Sequence, residues 1–195
     1  MVQDATLTNG RHFVSRRCLP PRFGRIWPKI GGISEMEDFV QFDPHARLRD
    51  LGMRLPDVSP PKGSYMSATR AGNLVYVSGQ VPMTHGEVTV TGKVGAGISL
   101  ERARELSEQC MLAALAAIDA TVGLSTVVRV VKVVGYVVSA DGFTDQPSVI
   151  DGASSLLVDI FGDAGRHARS SVGVAALPLG APVEIEVIVE VEAAA

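Results

Sequence analysis

Arg169 and the glutamates that alternate from Glu184 are the side chains whose type and spacing best suit chemistry on a small anion. A guanidinium keeps its charge and offers a planar fork of N–H donors, so Arg169 could clamp a carboxylate through two parallel hydrogen bonds. The bland alternative is a salt bridge to a neighbouring glutamate. Val183, Ile185, Val187, Val189 and Val191 alternate with Glu184, Glu186, Glu190 and Glu192. The two-residue side-chain period of a strand puts those four carboxylates on one face. There a glutamate either polarises water as a general base or faces solvent. Other chemistry-bearing residues are sparse. The two cysteines, Cys18 and Cys110, make no CxxC pair, and the four histidines make no HxxxH. Neither a disulfide framework nor a dedicated zinc site is expected, and a reducing, cytoplasmic setting is the default.

The elements that must position these residues follow from pattern. Asp43 and Pro44 read as N-cap and N1 of a short helix with Leu48 and Leu51 at helical spacing and Gly52 after its end. Tyr65 to Arg70 alternates, Gly72-Asn73 turns, and Leu74 to Ser78 continues, which is a hairpin. Ser99 to Ala120 is the strongest helix: Ser99 caps it, and Ala103, Leu106, Cys110, Ala113, Ala114, Ala117 and Ile118 keep the i, i+3, i+4 spacing. Its alanines imply close packing on a sheet. Val127 to Ser139 is a β-branched strand interrupted by Arg129 and Lys132, Pro147 to Phe161 a second helix, and Ala168 to Leu177 and Val183 to Glu192 two further strands. Helix, β-β, α, β, α, β-β is an α+β order with two main helices on one face of a mixed sheet. The other sheet face, half apolar, suggests association with other subunits.

Length and charge bound the rest. The chain has 195 residues, 46% hydrophobic and 20% charged, with a formal net charge of -3. Residues 1–35 hold six basic and two acidic side chains, whereas residues 36–195 carry a net charge of -7. The lead has Pro20-Pro21, Pro28 and Gly31-Gly32 and no period, so residues 1–38 read as a basic, unstructured extension to a domain at 39–195. It resembles an organellar transit peptide, or reflects an upstream start with Met36 as the natural one; a basic arm for nucleic acid lacks a helical face. No apolar run approaches the roughly 18–20 residues of a membrane helix.

The segment Gly165-Arg166-His167-Ala168-Arg169-Ser170-Ser171-Val172-Gly173-Val174-Ala175-Ala176-Leu177-Pro178, followed by Val183-Glu184-Ile185-Glu186, resembles the signature of the RidA (YjgF/YER057c/UK114) family. Lys62-Gly63-Ser64-Tyr65 and Val77-Ser78-Gly79-Gln80-Val81-Pro82 match its opening motifs in the same order. The helix at 44–51 resembles an addition found in a longer bacterial subgroup. The resemblance implies a chorismate-mutase-like protomer and a homotrimer, sheets inward, with ligand clefts between subunits. It implies an enamine/imine deaminase that hydrolyses 2-imino acids, such as the tautomer of 2-aminoacrylate, to 2-keto acids and ammonia, with no metal or organic cofactor.

In that reading Arg169 clamps the substrate carboxylate and Glu184 holds the attacking water. Tyr65 packs over the substrate, Ser78 bonds its carboxylate, and the backbone around Ser171 accepts from the imine N–H. The alternatives are an interface aromatic for Tyr65, turn capping for Ser78 and a solvated Glu184. Arg166 reads as a solvated decoy. Departures bear on substrate range. His167 stands where the pattern favours a small residue or proline, and it either titrates near neutral pH or lines a turn. Asp151 or Gly152 falls near the family's second-helix asparagine, and Ser171 stands where many members have cysteine. The competing functions are a non-catalytic trimer that binds small carboxylates and an endoribonuclease. The second is disfavoured by the acidic body, which has no basic patch with interleaved aromatics.

Overall fold

Asp43, the first described residue, caps a helix by accepting the His45 backbone N–H at 2.9 Å, with Pro44 in the first turn. This is α1 (Pro44–Asp50) of a computed structural model that describes residues 43–61 and 63–193, all within the unit Val40–Ala195. The basic extension expected at residues 1–38 lies outside the described residues, as does Lys62. Leu48 anchors α1 in the core, and His45 Nε2 lies 3.1 Å from Asp119 Oδ1 at the end of the long helix.

The hairpin forms as read, with β1 (Ala68–Ala71) and β2 (Leu74–Gln80) joined by Gly72-Asn73. Gly72 supplies the positive φ (62°) that such a two-residue reversal needs. The first strand is shorter than the alternation suggested. Tyr65 and Met66 precede it in an exposed bend, where Tyr65 N–H bonds back to Gly63 C=O at 3.0 Å. Two short strands, β3 (Lys93–Val94) and β4 (Gly97–Ile98), pair parallel in a stretch that carries no strand signal in sequence. They lead into α2 (Leu100–Val122), capped by Ser99 through the Arg102 N–H at 3.2 Å.

Then follow β5 (Val127–Val138), α3 (Gln146–Phe161), β6 (Ala168–Val174) and β7 (Val183–Val191). The main sheet has the order β1-β2-β7-β5-β6, antiparallel except for the parallel β5–β6 pair that α3 bridges. β6 stops at Val174 because its partner β5 ends at Val138. Strict alternation in β7 is realised: Val183, Ile185, Val187, Val189 and Val191 are each at most 1% exposed. Each such side chain buried from water contributes about 1.5–3 kcal/mol. Ala103, Ala114 and Ala117 let α2 lie close to the sheet, and the core is continuous from Val75 through Ile185 to Ile150.

The helices touch where side chains are missing. Ser107 of α2 accepts Ala153 N–H at 3.1 Å and turns its proton to Val149 C=O (2.7 Å) or Arg104 C=O (2.8 Å). A Cβ on Gly152 of α3 would lie 2.2 Å from the Arg104 carbonyl oxygen and 2.5 Å from Ser107 Oγ. Backbone cannot yield there, so Gly152→Ala should lower stability by about 3 kcal/mol. Thermal unfolding checks this, and an unchanged Tm would show that the helices are free to separate.

Candidate functional site

The parallel register of β5 and β6 decides where Arg169 points. Arg169 pairs with Val133 and Ser171 with Gly135, and both partners belong to the face covered by helices. Val133 is fully buried, and a Cβ on Gly135 would lie 2.3 Å from Ile150 of α3. Arg169 and Ser171 therefore stand on the helix side of the edge strand. Arg169 Nη1 donates to Asp151 Oδ1 at 2.5 Å and to Ser154 Oγ at 3.1 Å, both from α3. The guanidinium is 27% exposed, and no bond is recorded among the described residues for its Nε and Nη2. A second edge of the fork is thus open. The ion-pair partner is Asp151 rather than a glutamate, and it is Asp151, not Gly152, that meets the arginine. Ser171 Oγ is buried beside them with no hydrogen-bond partner among the described residues. An unspent buried donor of this kind carries a desolvation penalty of about 1–3 kcal/mol until something accepts from it.

His167 completes this half. Its Nδ1 lies 2.6 Å from Gly165 C=O and its Nε2 3.1 Å from Ser154 Oγ. It thus lines the turn before β6, with burial, against the opposing Gly165 hydrogen bond and aided by the weaker effect of the Arg169 charge, holding its pKa below the usual histidine value. Arg166 is exposed and paired with Asp163 at 3.1 Å.

Glu184 sits on the other side of the sheet. It pairs in register with Tyr136, whose neighbour on β6 is Val172, and this row faces away from the helices. The β2–β7 ladder slips between Val77 and Gln80, and the Glu184 carboxylate fills the space beside Gly79. Burial, then the charge of Glu186, holds the Glu184 carboxyl above the usual carboxylate range. Glu186 accepts the Tyr136 hydroxyl at 3.1 Å, and Glu190 pairs with Arg129 at 2.6 Å. Glu192 lies past the end of β7. The Ser78 hydroxyl donates to Met66 C=O at 2.6 Å and so ties β2 to the chain before β1. Its proton is committed to that carbonyl, which leaves it only lone pairs to offer. Tyr65 is 52% exposed.

One chain therefore carries two groups of candidate residues on opposite faces of its sheet. Arg169, Asp151, Ser154 and Ser171 form one, and Glu184 with Gly79 and Tyr136 forms the other. The sequence reading paired Arg169 with Glu184 without seeing the sheet between them. It also missed Ser154, which had no signal beyond its place one helical turn after Asp151 and Ile150. No helix among the described residues is long and apolar enough to cross a membrane.

Glu184 carries a stability consequence whose sign is fixed. Its folded pKa lies above the ordinary value, so the fold disfavours its charged form. Its favourable contribution is full below pH about 4.5 and is lost as pH rises through the folded value. Glu184→Gln removes a charge that the fold disfavours at neutral pH, so its Tm should exceed the parent's by about 3 °C at pH 7. The gap should close by pH 4. A lower Tm at pH 7 would mean that the carboxylate is stabilised where it stands.

The sequence profile of the family described as endoribonuclease L-PSP matches residues 57–191. The chain belongs to that family, the RidA family. Among RidA-family relatives, protein TCP17 of Trypanosoma cruzi is 40% identical over 147 residues, which are 74% of this chain and 92% of the relative. The 2-iminobutanoate/2-iminopropanoate deaminase of Dermatophagoides farinae is 33% identical over 139 residues, 70% of this chain and 93% of that one. The crystal structure of the protein Atu1372 from Agrobacterium tumefaciens superposes with a TM-score of 0.70 at 43% identity, covering 76% of this chain and 91% of the other. The α+β mixed sheet with its two main helices and short N-terminal helix is thus the RidA fold.

Proposed function

We propose that this RidA-family chain is an enamine/imine deaminase that works as a homotrimer, with each cleft built from the Arg169 side of one subunit and the Glu184 side of the next. The observation that carries the reading is Arg169 itself. A part-buried guanidinium tethered through Nη1 leaves a second pair of donors for a substrate carboxylate. Preorganised in this way, it loses little conformational entropy on binding.

The hydrolysis follows from the groups present. Arg169 holds the carboxylate of a 2-imino acid. Glu184, its pKa raised toward the working range, takes a proton from water as the oxygen bonds to the imine carbon. The imine nitrogen gains a proton and becomes the amine of a carbinolamine. The hydroxyl proton then passes to the nitrogen as the C–N bond breaks and the C=O forms, which releases ammonia and the 2-keto acid. No electrons are exchanged, so no redox cofactor is called for. Ser171 Oγ, unspent and on the Arg169 side, can donate to a substrate oxygen. Exposed Tyr76 and Val172 on the open sheet face support burial of that face against other copies. The name of the Dermatophagoides farinae relative supports this substrate class.

The family description also names an endoribonuclease. Glu184, Glu186 and Glu190 on the open face would repel phosphate, which disfavours that reading here.

The test is ammonia release from freshly generated 2-iminopropanoate. The parent should accelerate it, and Arg169→Ala should lose about 100-fold in kcat/KM, the worth of a bidentate carboxylate clamp. Thermal stabilisation by 2-keto acids without turnover would favour a non-catalytic binder instead. An Arg169→Ala variant as fast as the parent would sink the clamp.

A further inference from the structure

His167 departs from the family signature and Ser154 lies outside it, yet they form a continuous chain to the arginine. The donor roles along it can be assigned from chemistry. Gly165 C=O can only accept, so Nδ1 of His167 carries a proton and donates across 2.6 Å. In the neutral ring Nε2 is then the acceptor, and it takes the Ser154 hydroxyl proton across 3.1 Å. With its proton turned to histidine, Ser154 Oγ presents its lone pairs to Arg169 Nη1, also at 3.1 Å.

We propose that His167 is a positioning residue: through the Ser154 hydroxyl it fixes the guanidinium of Arg169 in the orientation that receives a substrate carboxylate. The inference rests on the deaminase reading for the identity of that carboxylate. Two restraints act on Nη1 from α3. Asp151 attracts it along one line and Ser154 along another, and together they fix the plane of the fork. Without the histidine, the serine rotor has no preferred direction and can as readily present its proton as its lone pairs.

The charged groups around His167 suit a neutral ring. Arg169 of β6 lies beyond the serine, Asp151 of α3 is engaged by that arginine, and Arg166 and Asp163 of the preceding turn pair with each other at 3.1 Å. None offers a carboxylate to a protonated imidazole. The Ser154–His167 contact also resembles an activated serine. However, Ser154 lies in the middle of α3, where backbone N–H groups are spent on the helix, so none is free to take an oxyanion.

The test is steady-state turnover of 2-iminopropanoate by the full chain, with Arg169→Ala run alongside, and calorimetric binding of 2-oxobutanoate. His167→Phe should raise KM and the keto-acid Kd about tenfold with kcat within about twofold, because the lost interaction serves the bound ground state and transition state alike. Ser154→Ala should do the same, and the double variant should add nothing further, since both act through one chain. His167→Gln, whose side-chain oxygen can accept from Ser154, should return KM to near the parent's. The parent's KM should also show an inflection below pH 6.5 that His167→Gln lacks, which a purely structural role would not produce. Parental KM and Kd in both His167→Phe and Ser154→Ala, with Arg169→Ala inactive, would overturn the inference and leave the deaminase reading standing. A parent that neither turns over the imine nor binds the keto acid would overturn both.

Discussion

An equal mixture of Arg169→Ala and Glu184→Gln chains, unfolded together and reassembled, should regain about a quarter of the parent's imine turnover, although each variant alone is nearly inactive. The expectation comes from the sheet. Arg169 shares a row with Val133 and Val187 under α3, and Glu184 shares a row with Tyr136 and Val172 on the open face. A sheet one strand thick with a packed core behind it separates them, so no rotamer change within one chain can bring the two to one substrate. In the proposed ring of identical subunits, each cleft would take Arg169 from one chain and Glu184 from its neighbour. A random mixture then supplies both wild-type groups at about one cleft in four. Mixing the folded variants without dissociation should restore little. If reassembled mixtures stay as inactive as the separate variants while sizing as trimers, the two residues do not share a cleft.

The faces explain how far the sequence could be read. Element order was legible because each element carries its own period: Ser99 with its alanine stripe for α2, unbroken apolar alternation for β7, Gly72-Asn73 for the hairpin. The short parallel pair β3–β4 was not, because two residues are too few to set a period. The motif around Arg169 and Glu184 was visible as spacing, yet spacing along a chain does not say which side of a sheet a residue faces. That depends on the register of β6 against β5 and of β5 against β7. The partners of Arg169 were hidden for the same reason: Asp151 and Ser154 reach it only because α3 crosses back over the strand it precedes. Ser78 shows a related case: its hydroxyl donates to Met66 C=O, twelve residues back, a tie that spacing along the chain does not reveal.

Gly79→Ala should abolish most of the activity and leave the fold almost untouched. The glycine of the Ser78-Gly79-Gln80 motif has no positive φ to explain it; its missing side chain is the point. A Cβ there would lie 1.7 Å from Glu184 Oε1 and 2.7 Å from its carboxyl carbon. The clash is with the tip of a flexible side chain rather than with backbone, so the carboxylate can swing aside while the strands stay paired. This contrasts with Gly152, where the obstacle is a carbonyl of α2. The stability change should therefore be small, about 1 kcal/mol or less. The displaced Glu184, however, would no longer stand where it can take a proton from water, and loss of a general base costs about 10²–10⁴ in rate. The fall should be in kcat, with KM for the imine close to the parent's, because the carboxylate clamp proposed at Arg169 lies on the opposite face of the sheet. Glu184→Gln should give the same kinetic result, and adding Gly79→Ala to it should change little, since the base is already gone. An active Gly79→Ala enzyme would mean that the water is held by some other group. A Gly79→Ala chain with a raised KM and intact kcat would move Glu184 from proton transfer to substrate binding.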